Sequence, residues 1–167
     1  AVGAADHRVF LIDLRKPSVP LLNEKKHLKS VSYVKFMDDG NSLISSSTDS
    51  TLRRWSSNNG IWGSDQIYSG HLNEKNFVGL SCFDNKNLIA TGSEDNSVVF
   101  YDKHLDFPVL RHKLNTNCPL TGNIMEDELG TFISSVSWSN ALDSNGNPIL
   151  LVGNSSGNVK VLSINIE

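Results

Sequence analysis

The sequence predicts an all-β chain made by repetition, and three observations lead there. A polar turn flanked by apolar residues recurs four times, short runs rich in β-branched and aromatic residues surround each copy, and no stretch of a dozen residues carries helical periodicity.

The four copies occupy residues 3–13, 46–56, 92–102 and 154–163. Their anchors Asp6, Asp49 and Asp95 stand 43 and 46 residues apart, and the fourth equivalent, Ser156, follows 61 residues later because of an insertion. Three residues past each anchor comes Val9, Leu52, Val98 or Val159. Six past it comes Ile12, Trp55, Tyr101 or Leu162. Strand-like runs precede the turns at 42–46, 87–91 and 149–153, and others open the larger units at 31–36, 77–83 and 132–138. All are short and are bounded by Asn, Gly, Asp and Ser, as strands joined by tight turns are. The run Val98-Val99-Phe100-Tyr101 is apolar on both faces, which suits a sheet packed on both sides.

A period of roughly 40–45 residues with four short strands per unit is that of propeller blades. At this point the residues resemble the WD40 family over the whole chain. Gly70-His71 matches the Gly-His that precedes a first strand, and His27 supplies the histidine of the preceding unit. Trp55-Ser56 and Tyr101-Asp102 stand where Trp-Asp is usual; Ile12-Asp13 and Leu162-Ser163 are weaker copies. The histidine-to-turn spacing is similar in both complete units, 22 residues from His27 to Asp49 and 24 from His71 to Asp95. The expected organisation is a partial blade at 1–25, whole blades at 27–70 and 71–115, an acidic insertion loop at 116–130, and a last blade at 131–167 lacking one strand. That is about three and a half blades of the usual seven, the C-terminal half of a longer propeller.

Composition narrows the function. Of 167 residues, 38% are apolar and 20% charged, the balance of a folded chain. Fifteen basic against 18 acidic residues leave a net charge of −3, which argues against nucleic acid held on a global basic surface. No apolar run approaches the roughly 20 residues that span a bilayer, and the start Ala1-Val2-Gly3-Ala4 does not fit a signal peptide. Cys82 and Cys118 form no metal-ligand pair and read as thiols of a reducing compartment, so no metal or cofactor is expected and the chain is placed in the nucleus or cytoplasm. Asn154-Ser155-Ser156 fits the glycosylation pattern but lies in a strand-turn. The acidic cluster Glu126-Asp127-Glu128 in the insertion reads as a solvated loop, with a contact surface for a basic partner as the alternative.

His27, Ser47, Asp49 and Trp55 contain the residue types of a Ser-His-Asp hydrolase, but the set recurs as His71, Ser93, Asp95 and Tyr101. Chemistry needs one site, whereas a scaffold needs a copy in every blade. Nothing else in the sequence, such as a GxSxG elbow, a phosphate loop or HExxH, supports catalysis. The resemblance implies a structural hydrogen-bond network at both sets.

Residues 71–80, His-Leu-Asn-Glu-Lys-Asn-Phe-Val-Gly-Leu, carry more than packing requires. With residues 31–36, 46–52 and 158–162, and with the acidic insertion before 132–138, they resemble the propeller of the constitutive-photomorphogenic E3 ubiquitin ligases and of the suppressor-of-phytochrome-A proteins of plant light signalling. The resemblance implies a binding module, not an enzyme, that recruits substrates or adaptors with acidic Val-Pro peptide motifs to a ubiquitin-ligase complex. In it Phe77 matches the aromatic that packs on the Val-Pro pair, Glu74 an acidic rim residue, and His7 a pocket histidine. Ser30 stands where the family has a lysine, with Lys29 adjacent. A generic WD40 scaffold without Val-Pro specificity is the rival reading.

Overall fold

A computed structural model of the chain describes residues 1–114, 116–117, 124–125 and 130–165. Strands β1 (Val2–Gly3), β2 (Arg8–Leu11) and β3 (Leu22–Lys25) make a first sheet. β4 (Val31–Phe36), β5 (Ser42–Ser47), β6 (Thr51–Asn58) and β7 (Ile61–Ser69) make a second. β8 (Leu80–Phe83), β9 (Leu88–Gly92), β10 (Ser97–Asp102) and β11 (Pro108–Lys113) make a third. After the short pair β12 (Thr116–Asn117) and β13 (Ile124–Met125), a three-stranded sheet of β14 (Ile133–Leu142), β15 (Pro148–Asn154) and β16 (Val159–Ser163) follows. Neighbouring strands are antiparallel throughout, and the helical content among the described residues is the 3-10 turn Asp84–Lys86. The fold is all-β, a partial propeller of about three and a half blades.

The recurring anchor works by one mechanism in three turns. A carboxylate oxygen accepts the backbone N–H two residues on: Arg8 N to Asp6 at 3.2 Å, Thr51 N to Asp49 at 3.0 Å, Ser97 N to Asp95 at 3.2 Å. The residue after each anchor then takes a left-handed backbone, His7 at φ 75°, Ser50 at 62° and Asn96 at 60°, with Gly157 at 83° in the fourth turn. There Ser156 replaces the carboxylate, and Asn154 Oδ1 instead accepts from Asn158 N at 2.9 Å. Asn154, the asparagine of the glycosylation pattern, is buried and engaged in the turn.

The greasy runs have partners on both sides. Val98 and Phe100 of β10 join Leu88, Ala90, Trp138 and Leu150 in the core between the third and last sheets. Val99 and Tyr101 of the same strand join Ile44, Leu52, Tyr68 and Leu80 between the second and third. Val9, Leu11, Leu22, Val31, Leu43 and Trp55 fill the space between the first and second. β8 packs against both β4 and β14, and β1 against β4, so the first strands of successive sheets lie side by side. On the far face of the last sheet Leu151, Val159 and Val161 remain exposed. Cys118 and the acidic cluster Glu126-Asp127-Glu128 lie outside the described residues.

Candidate functional site

Antiparallel order puts the anchor turns and the loops that lead into β4, β8 and β14 at one end of the sheets. Backbone bonds stitch this end together: Val31 N to Ala4 O at 3.1 Å, Ser50 N to Asn73 O at 3.1 Å, Glu94 N to Leu72 O at 2.8 Å and Ser155 N to Phe132 O at 2.9 Å.

Two kinds of polar residue occupy this end. The first kind is buried. His27 Nδ1 lies 3.0 Å from Asp49 Oδ2, and its Nε2 lies 2.7 Å from Ser45 Oγ, which accepts from Trp55 Nε1–H at 2.8 Å. The consistent assignment has Nδ1–H donating to Asp49 and the Ser45 hydroxyl donating to Nε2. Burial pushes the Asp49 carboxyl up, but hydrogen bonds from His27, Thr51 and the Leu28 amide outweigh it and hold the group well below the usual carboxylate range. The serine of this network is Ser45, not the expected Ser47. Ser47 sits two residues nearer the turn, where it donates to Lys29 O and accepts from Asp49 N, both at 3.2 Å. The chain Asp49–His27–Ser45 has the order of a hydrolase triad, yet Ser45 is 0% and His27 2% exposed, so no substrate reaches it.

The second copy is wired differently. His71 Nδ1 lies 2.9 Å from Tyr101 Oη, which donates to Ser69 O at 3.2 Å and so accepts from the histidine. Ser93 is bonded to the Leu72 backbone, and Arg111 pairs with Asp95 and with Gly70 O. His71 Nε2 is buried without a partner, and burial pulls the histidine down to about 4.

The second kind is accessible. His7 sits in the β1–β2 turn, and Ser30 Oγ donates to Ala5 O of that turn at 3.3 Å. Lys29 is exposed beside it, so the structure brings His7, Lys29 and Ser30 to one corner. Glu74 and Phe77 lie one sheet further along, in the loop between β7 and β8, with Phe77 60% exposed. That loop is anchored at Asn73, whose N–H donates to Ser50 Oγ at 2.9 Å, and at Val78, which is buried. A cavity of about 710 Å³ lies elsewhere, on the flank of β7 near Lys26, Arg53, Asp65 and His104, and none of the five candidates lines it. Among the described residues no group of His, Cys, Asp and Glu is placed to hold a metal, and no helix is long and apolar enough to cross a membrane.

The family model for the WD domain, G-beta repeat, matches residues 19–56 and 63–102. The chain is built of WD40 repeats. Its relatives include the Arabidopsis thaliana Protein SPA1-RELATED 4, 43% identical over 98% of this chain, and the E3 ubiquitin-protein ligase COP1 of the same plant, 42% identical over 97%. The WD repeat-containing protein RUP2, also from Arabidopsis thaliana, is 39% identical over 83% of the chain and is itself covered to 35%. The chain spans 20% of the SPA1-related protein and 22% of the ligase. In fold the WD40 chain is similar to the computationally designed Ika4 protein, with a TM-score of 0.63 over 98% of this chain and 83% of that one at 21% identity.

Proposed function

We propose that this chain is the recruiting surface of a ubiquitin-ligase system, a non-catalytic module that takes up substrates or adaptors through short peptides with a Val-Pro core preceded by acidic residues. The observation that carries the reading is Phe77, a large aromatic left 60% exposed on a loop whose neighbours are tied down. An exposed ring on a fixed backbone is costly to leave in water and loses little freedom when covered, which suits it to anchor a partner. A Val-Pro pair fits such a ring because proline restricts its own backbone before binding. Lys29 supplies positive charge at the His7 corner for acidic residues upstream. The chain would act in the nucleus or cytoplasm, in a protein complex whose chemistry other parts perform.

The test is titration of the intact protein with a fluorescent peptide carrying Val-Pro after two or three glutamates. Phe77→Ala is expected to weaken binding at least tenfold, the effect of losing about 1.4 kcal/mol or more at an interface anchor. Undiminished affinity removes Phe77 from the site. One residue favours the rival scaffold without Val-Pro specificity: Ser30 lacks the charge its counterparts in the resembled family present to acidic peptides. That rival gains if the wild-type protein binds glutamate-rich peptides equally well with and without Val-Pro.

A further inference from the structure

Glu94 stands out among the four anchor turns. The residue just before each anchor is Ala5, Thr48, Glu94 or Ser155, so three turns close with a small side chain and one carries a long acid. Its carboxylate faces the loop before β8, residues 73–77 of which also exceed what the repeat needs. Glu94 Oε1 accepts from Lys75 N at 2.7 Å, from Asn76 N at 2.6 Å and from Asn76 Nδ2 at 3.3 Å. Two successive amides and a side-chain amide converge on a single oxygen, which fixes the peptide planes immediately before Phe77. On the other side of Phe77, Val78 is buried and Gly79 presses on β14. Phe77 is thus held at both flanks while its own ring stays outside the core.

We infer that Glu94 is a positioning residue for partner binding: it clamps residues 74–76 so that Phe77 is presented to the peptide in one orientation. The inference rests on Phe77 being the anchor of the proposed site. Burial raises the Glu94 carboxyl, but the amides of Asn76 and Lys75 outweigh it and hold the group below the usual carboxylate range, so the clamp is charged at neutral pH.

The experiment is a double-mutant cycle on the intact protein with the same fluorescent acidic Val-Pro peptide, comparing wild type, Glu94→Gln, Phe77→Ala and the double variant. Amide hydrogen exchange of Lys75 and Asn76 is followed in parallel. Glu94→Gln is expected to weaken binding about fivefold or more, to speed exchange at both amides, and to have no further effect once Phe77 is alanine. Equal weakening in both backgrounds overturns the inference, since Glu94 would then act independently of Phe77. So does faster exchange with unchanged affinity. If the wild-type protein itself fails to bind the peptide, the recruiting function falls and the presenting role with it. Failure of the inference alone is recognised by wild-type binding that Phe77→Ala abolishes and Glu94→Gln leaves intact.

Discussion

Ser45 and Ser47 lie on the same face of β5, two residues apart, and do different work. Ser45 satisfies two buried ring nitrogens, His27 Nε2 and Trp55 Nε1. Ser45→Ala leaves both without partners and is expected to destabilise the protein by about 2–5 kcal/mol, whereas Ser47→Ala, beside the turn, should cost about 1 kcal/mol. Urea unfolding of the two variants checks the order, and a larger loss at Ser47 contradicts the network. Recurrence made the histidines, the anchors and Trp55 legible. It did not identify the bonding serine, because that depends on where the indole crosses β5: Trp55 pairs opposite Leu43, which brings its ring to Ser45. His71 provides the pH prediction. Its folded-state value of about 4 lies below the ordinary histidine value of about 6.5, so the unfolded chain binds the proton more readily and stability falls as pH drops between those values. The contribution at stake is about 3 kcal/mol, present above pH 6.5 and gone near 4. The stability gap between wild type and His71→Gln should therefore shrink on acidification; a gap independent of pH contradicts a neutral buried imidazole.

At the scale of strands, the turn chemistry was the readable part and the strand ends were not. The expected run 31–36 is β4 itself, and 42–46 is β5 short of one residue. The expected run 77–83 begins only at Leu80: the chain just before it, at Lys75 and Asn76, is bonded to Glu94, and Val78 is buried ahead of the first ladder residue. Alternation along a sequence cannot anticipate a carboxylate arriving from a turn almost twenty residues away. β14 runs on to Leu142 through two register shifts, where the sequence marked it to 138. Gly79 follows from the same geometry. A Cβ there would lie 2.5 Å from Val136 N and 2.8 Å from Ser135 Cα, backbone that cannot swing aside. Gly79→Ala is expected to destabilise by about 1–3 kcal/mol or more through overpacking, read as a lowered Tm, and to disturb the neighbouring Phe77. An unchanged Tm contradicts the close approach of β8 and β14.

Across the whole molecule the repeated hairpins supply rigidity and their loops carry the residues of the proposed site. Three apolar layers lie between the four sheets, and two of them carry a member of a buried polar set, Trp55 between the first and second sheets and Tyr101 between the second and third. What differs from turn to turn is the accessible end: His7 and Ser30 at one corner, Glu74, Phe77 and Glu94 at the next. The fold was legible because repetition reports the same constraint several times. The candidate site shows in the sequence only as excess, residues 73–77 beyond the repeat, and the contact of Glu94 with Lys75 and Asn76 requires the third dimension. The most direct measurement is calorimetric titration of the intact protein with an acidic Val-Pro peptide and with the same peptide carrying Ala-Ala in its place. Saturable binding of the first, lost or at least tenfold weaker for the second, is the predicted result; equal binding of both contradicts recognition through Phe77.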